Sequence, residues 1–397
     1  MSEQKLMGGF PSVPEQQVTL ANWRLPPFNN WAFHHVREIV PSANIYHGTG
    51  PVLSLPASGT ALPNLAFRGL RGRDWTLDEM LQVSDTDGFL VLQSGRIVTE
   101  RYFNGLTPEA PHIIFSVSKS LTGSLAGVVV AQGQLDPDAP VARYIPEAAN
   151  SAYGDCTIRH VLDMTVSVDF VEDYLNTDGP FARYRDATGW NPILDPARLN
   201  DLRGFLLSLP RDSHDHGEKF YYASPNSDLL GWVLERASGR TLPSLLSELI
   251  WQKMGAEFDA YVTVDRFGAP RSAGGICCSL RDLGRFGEMM RREGNVAGTQ
   301  VVPQDWIADI RHAGDAAAWQ RGSMAKFLPK GRYRSKWYQL GSESGAYCGI
   351  GIHGQWIYID PASEIVIAKM SSQKLPVDEP LDGLMLTGFA AIVRALS

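Results

Sequence analysis

The chain has 397 residues, 44% of them hydrophobic and 20% charged, enough apolar material for a large packed core, which excludes a disordered or fibrous protein. Its 36 basic and 43 acidic residues leave a net charge of −7, which argues against general affinity for nucleic acid or an anionic membrane. The N-terminal MSEQKLMGGFPSVPEQQ has no apolar stretch behind a basic start, and the longest apolar run, 125–131, is too short to span a bilayer. A cytoplasmic protein without a membrane anchor is expected.

In chain order, residues 1–30 are rich in Pro, Gln and Asn and read as an extended arm, followed by a short helix over 31–40. The stretch 88–102 has two β-branched and aromatic runs around Ser94-Gly95, a hairpin signal. Helical periodicity follows at 116–132, at 227–237 closed by Gly239, at 242–254 and at 280–292. The last opens with Ser279-x-x-Asp282, a capping-box pattern. A second hairpin is written at 349–359 and 364–370 across Asp360-Pro361, and an amphipathic helix over 381–396 ends the chain.

Strands at both ends with helices between predict an α/β fold: an antiparallel sheet from both termini, flanked by helices, with an inserted, mainly helical domain. The expected boundaries are an arm at 1–30, an α/β domain at 31–132 and 273–397, and a helical insertion at 133–272. Four cysteines, Cys156, Cys277, Cys278 and Cys348, contain no C-x-x-C pair, so reduced buried thiols are expected and neither a disulfide framework nor a thiolate metal site is.

The sharpest chemical signal is Ser116-Val117-Ser118-Lys119, where a strand-rich region gives way to a helix. A Ser three residues before a Lys on a helix shares its face, so the amine can reach the hydroxyl and ease removal of its proton. S-x-x-K also occurs at Ser2, Ser323 and Ser371, and only the Ser116 copy opens a periodic helix after a hairpin. Ser116 alone could equally be a helix cap.

The second element, Tyr222-Ala223-Ser224-Pro225-Asn226, stands just before a helix. A Tyr beside a Lys cation would have its phenol pKa lowered and could relay the Ser proton to a leaving group; alone, it reads as an aromatic anchor. The third, Gly349-Ile350-Gly351-Ile352-His353-Gly354, fits G-x-G-x-x-G but leads into the strand-like Gln355-Trp356-Ile357-Tyr358-Ile359. Without a helix to hold a pyrophosphate, a dinucleotide site is rejected. A strand is expected whose missing side chains let substrate lie against the backbone, one N–H serving as oxyanion donor. His353 is given a structural role ahead of a catalytic one.

The order Ser-x-x-Lys, Tyr-x-Ser, Gly-x-Gly resembles the class C β-lactamase-like serine hydrolases, with their penicillin-binding-protein-like fold, family VIII carboxylesterases and DD-peptidases. Within them the chain is most similar to the 6-aminohexanoate-dimer (nylon-oligomer) hydrolase group. That likeness runs through Asn30-Trp31-Ala32-Phe33, Val40-Pro41-Ser42-Ala43, Glu172-Asp173-Tyr174 and Gly189-Trp190 to Gly349-Ile350-Gly351-Ile352-His353-Gly354-Gln355.

The resemblance implies Ser116 as acylated nucleophile, Lys119 as its activating partner, Tyr222 as proton relay, and the N–H groups of Ser116 and Ile352 as oxyanion hole. It implies Tyr174 donating to the scissile or leaving group and Trp190 on a loop over the pocket, and a homodimer. Ser224, Asn226, Gly351, His353 and Arg185 join the expected substrate-binding set. Lys-Thr-Gly, which many β-lactamases carry, is replaced by Gly349-Ile350-Gly351, which argues against β-lactam substrates. Arg185 stands where efficient nylon-dimer hydrolases have an acid, and Ala273 where they have Asn.

Cleavage of small carboxylic esters ahead of short amides such as 6-aminohexanoate dimer is therefore expected, with no metal or organic cofactor. The alternatives are a β-lactamase or DD-peptidase-like enzyme, or a silent ligand-binding member of the fold. The segment 321–336 carries six basic residues and no acid; it reads as a solvated loop or a guide for anionic substrates, with single-stranded nucleic acid set aside. His214-Asp215-His216 lacks a third metal ligand and reads as an exposed turn.

Overall fold

A seven-stranded antiparallel sheet organises the chain, in spatial order Arg332–Arg334, Trp337–Gln339, Tyr347–Gly351, Gln355–Asp360, Ile365–Ser371, Thr86–Gln93 and Arg96–Tyr102. The computed structural model describes residues 5–59, 62, 65–193 and 201–397. The two ends of the chain meet where Ile365–Ser371 pairs with Thr86–Gln93, Ile367 opposite Val91. Ser94 and Gly95, both at positive φ (48° and 77°), close the first hairpin with the twist a two-residue turn requires.

Alternation decides which residues face which layer. Leu90, Leu92, Ile357, Ile359, Val366 and Ala368 join the cluster holding helices Val117–Ala131 and Leu280–Arg291. Phe89, Val91, Trp356, Tyr358, Ile365 and Ile367 pack on Leu384, Phe389 and Ile392 of the terminal helix Glu379–Leu396. Both faces are covered, so these strands read as near-continuous apolar runs. Each buried aliphatic or aromatic side chain contributes about 1.5–3 kcal/mol.

A second sheet, in order Ser42–Ile45, Ala260–Thr263, Ile276–Cys278 and His112–Ile113, delivers the chain to Ser116. Its strand Ala260–Thr263 falls inside the expected insertion and pairs on both sides with strands from outside it. Between them, 133–272 carries helices Ile158–Leu162, Pro180–Ala187, Leu202–Leu207, Ser224–Ser238 and Leu242–Leu245. Leu229, Leu230 and Trp251 share one apolar cluster with Leu90 and Leu121.

Several local expectations are corrected. The helix expected over 31–40 is two fragments, Asn29–Ala32 and Val36–Glu38. The N-terminal segment is anchored: Trp23 is fully buried, with its Nε1 donating to Trp190 O at 3.2 Å. The Ser279 side chain caps Asp282 N as expected, but the Asp282 carboxylate accepts from Ser279 Oγ at 2.8 Å and from Glu257 N and Phe258 N in place of Ser279 N.

The basic stretch 321–336 is only partly a solvated loop: Arg321, Lys326 and Lys330 are exposed, and the rest is structured. Arg332–Arg334 is an edge strand, and Arg334 pairs with Asp163 and Asp309 at 2.7 Å each. Lys336 is buried, with Nζ donating to Val161 O at 2.6 Å, and Trp319, Tyr333, Trp337 and Tyr338 are core residues. Only in Arg332–Arg334 does the interleaving reflect the two faces of a strand, with Tyr333 buried between two half-buried arginines. The four cysteines are free and buried. Among the described residues no helix is long and apolar enough to cross a membrane.

Candidate active site

Ser116 sits where the chain leaves the second sheet and enters helix Val117–Ala131. Its predecessor Phe115 is held at φ +40°, a conformation costing a bulky residue about 1–3 kcal/mol, fixed by ring contacts to Phe33 at 4.9 Å and Trp190 at 6.0 Å. Ser116 is partly exposed between buried neighbours, and its side chain makes no capping bond to its own helix. The cap reading is therefore excluded, and the hydroxyl is free for another partner.

That partner is Lys119, one helical turn on, whose Nζ donates to Ser116 Oγ at 2.7 Å and to Ala273 O at 2.7 Å. Burial holds the Lys119 amine down to about 7, with Arg271 pushing the same way and Glu172 and Asp228 opposing. A group poised there is partly a free amine at neutral pH. The Tyr222 ring centroid is 5.1 Å from Lys119 Nζ. Contrary to the sequence expectation, the Tyr222 phenol is raised: burial and the Glu172 charge outweigh hydrogen bonding with Ser116 and Ser224. It remains a protonated donor, and the amine is the better base.

Two carboxylates that sequence reasoning passed over organise these groups. Glu172 accepts from Ser224 N at 2.6 Å, Ser224 Oγ at 2.7 Å and Tyr174 OH at 2.6 Å. It thus ties the Tyr222 turn to the Tyr174 loop. Asp228 is buried, takes Ala273 N at 2.7 Å, and binds Arg271 and the Tyr184 hydroxyl. Since Ala273 O receives Lys119, Asp228 anchors the residue whose carbonyl aims the amine.

Gly351 brings the sheet to the nucleophile. A Cβ there would lie 2.7 Å from Ile114 O and 3.1 Å from Ser116 N, so only glycine allows this approach. The strand expected over 349–359 is interrupted at Ile352–Gly354, with His353 at φ +59° and Gly354 at φ +82°. His353 N donates to Pro376 O at 2.9 Å, and its Nδ1 meets Gln373 O at 2.6 Å. Burial lowers the ring to about 4, and it packs at 5.1 Å from Phe33 and 5.4 Å from Phe115. His353 is a neutral anchor for the turn that presents Ile352.

A cleft of about 1350 Å³ adjoins this point, lined by Tyr174, Phe181, Arg185, Trp190, Ile352 and His353 among others but not by Ser116, Lys119 or Tyr222 themselves. The Tyr174 hydroxyl is spent on Glu172, and Trp190 is buried with Nε1 donating to Thr263 Oγ1 at 3.2 Å. Arg185 donates to the carbonyls of Tyr174 and Asn176 at 3.3 and 3.0 Å. Two expected substrate contacts point elsewhere: Ser224 is bound to Glu172, and Asn226 is fully buried, accepting from Tyr153 OH at 3.1 Å. No residue of 321–336 lines this cleft.

His214 Nδ1 meets Asp212 at 2.9 Å and His216 Nε2 meets Asp155 at 2.9 Å. Among the described residues no group of three His, Cys, Asp or Glu could hold a metal ion.

Residues 82–388 match the family model described as Beta-lactamase. The chain is 35% identical over 394 residues to 6-aminohexanoate-dimer hydrolase of Paenarthrobacter ureafaciens, covering 98% of this chain and 96% of that protein. It is 31% identical over 163 residues to Esterase EstB of Burkholderia gladioli, 39% of this chain and 40% of the other. A solved structure from Bacillus anthracis, provisionally named 6-aminohexanoate-dimer hydrolase, superposes with a TM-score of 0.86 at 25% identity, covering 97% of this chain and 98% of that one.

Proposed function

The chain belongs to the β-lactamase family of serine hydrolases, and from that premise we propose that it hydrolyses small carboxylic esters, with short amides such as 6-aminohexanoate dimer as slower substrates, through an acyl-enzyme on Ser116. The observation that carries this reading is the 2.7 Å contact between Ser116 Oγ and a buried lysine held at about 7.

In the proposed cycle the neutral Lys119 amine takes the Ser116 proton as Oγ bonds to the substrate carbonyl carbon. The carbonyl oxygen becomes an oxyanion, received by the N–H groups of Ser116 and Ile352. Tyr222 gives its phenolic proton to the leaving oxygen or nitrogen as that bond breaks, and the Lys119 ammonium restores it. Water then attacks the acyl carbon by the same proton path in reverse, freeing the acid and Ser116.

Esters come first because an alkoxide leaves with less protonation than an amine. Amide cleavage leans on a proton donor near the leaving nitrogen, and Tyr174, the donor implied by the resemblance, is committed to Glu172. The absence of Lys-Thr-Gly at Gly349-Ile350-Gly351 favours esters over β-lactams.

Release of p-nitrophenol from the acetate or butyrate ester, against Ser116→Ala as blank, tests the reading. Steady release is expected, and a rate equal to the blank would refute it.

A further inference from the structure

Two guanidinium groups on the cleft wall are unused by the hydrolytic chemistry. Arg24 comes from the N-terminal segment and Arg185 from helix Pro180–Ala187, and both line the cleft. Arg24 Cζ lies 5.3 Å from the Trp23 ring and 6.0 Å from the Trp190 ring, and its Nη2 donates to Asn191 Oδ1 at 2.5 Å. Arg185 Cζ lies 5.2 Å from the Phe181 ring. Aromatic faces and neutral acceptors thus fix both side chains.

The Nε atoms of both arginines are buried with no hydrogen-bond partner among the described residues. Asp186, the carboxylate whose charge reaches Arg24, spends Oδ1 on Asn191 Nδ2 at 2.7 Å. Burial and the neighbouring charges of Arg185 and Arg271 lower Arg24 to about 9. Neither arginine makes an ion pair among the described residues, although both line one cleft, and two mutually repelling cations in a partly desolvated wall are relieved by one bound anion. Carboxylate is the planar anion a guanidinium fits in a paired geometry.

The position suits a substrate held at Ser116. The Trp190 ring, beside Arg24, lies 6.0 Å from the ring of Phe115, and Ile352 lines the same cleft. Asp169, Asp178 and Asp186 line it too, as do Arg183 and Lys374, and the charges of Asp186 and Asp173 also reach Arg185.

We propose that Arg24 and Arg185 form a carboxylate-binding subsite, so that the preferred substrates are esters or amides bearing a free carboxylate, such as half-esters of dicarboxylic acids. This rests on the serine hydrolase reading of Ser116. It replaces the cationic amine of 6-aminohexanoate dimer by an anion at this end of the cleft.

The test compares kcat/KM for mono-p-nitrophenyl glutarate with p-nitrophenyl valerate, and for 4-acetoxybenzoate with 4-acetoxybenzamide, each against the Ser116→Ala blank. The carboxylate member is expected to lead by about tenfold or more in at least one pair. That lead should shrink toward one in Arg24→Gln and in Arg185→Gln. Equal or neutral-favouring rates in both pairs, or a lead that survives in both variants, overturn the subsite.

Should the variants not fold, wild-type hydrolysis of p-nitrophenyl valerate is challenged with free glutarate and glutaramide. Competitive inhibition by glutarate alone supports the subsite; equal inhibition, or none, rejects it. Absence of hydrolysis of all four esters, together with no fluorophosphonate label on Ser116, would instead defeat the hydrolase reading and the subsite with it.

Discussion

The floor on which Ser116 stands and the wall of the neighbouring cleft are built on opposite terms. On that floor, Ser116 and Tyr222 precede helix starts, Lys119 lies in a first helical turn, Asp228 in a second turn and Glu172 on a loop. Lys119 and Asp228 are buried there, and Glu172 accepts three hydrogen bonds from two residues. On the wall, Arg24 and Arg185 are partly exposed and keep buried donor atoms without partners. A floor held by a closed network tolerates little change, whereas wall cations without an ion pair can be changed without disturbing it. On the proposed reading, reaction type and substrate choice are therefore separable.

The contrast can be broken most severely on the floor. Lys119→Ala removes the base and is expected to lower ester kcat/KM by about 10⁴-fold or more, measured by p-nitrophenol release. A loss under tenfold would mean that another group takes the Ser116 proton. Asp228→Asn leaves Arg271 buried without its counter-charge and should cost about 3–5 kcal/mol of stability, read by denaturant unfolding; a neutral result would contradict the closed network.

Glu172→Gln sharpens the electrostatics. In the proposed cycle the Ser116 proton goes to the neutral amine, so kcat/KM should fall as pH drops through about 7 and level off above it. Glu172 raises Lys119, so removing its charge stabilises the free amine and moves this limb to lower pH, with a rate loss on the order of tenfold. A limb that stays put, or moves up, would show that Glu172 does not act on Lys119. The smallest effect is expected from Lys330→Ala in the basic stretch away from the cleft: stability within about 0.5 kcal/mol, and an unchanged salt dependence of hydrolysis.

The same contrast explains what the sequence made legible. Ser116 and Lys119 could be read because an i, i+3 pair on a helix has a fixed geometry, and the Gly-x-Gly strand because missing side chains imply close approach. Glu172, Asp228 and Arg24 could not be: single charged residues far apart in the chain carry no spacing signal, and only folding brings them to Ser224, Ala273 and Trp190. The sign of the Tyr222 shift was missed for a related reason. It depends on burial and on the Glu172 charge, neither of which is local to the Tyr-x-Ser motif. The layers of the sheet were legible from both ends of the chain, while the turn at Ile352–Gly354 was hidden inside an apparently continuous strand because its anchors, Gln373 and Pro376, lie beyond the next two strands.

The most direct test of the central claim is peptide mass spectrometry after brief exposure to a fluorophosphonate, on the wild type and on Lys119→Ala. A single adduct on the peptide bearing Ser116, formed by the wild type and strongly slowed in the variant, is the predicted result. An adduct on a different residue, none at all, or equal labelling of both proteins would contradict a lysine-activated Ser116 nucleophile.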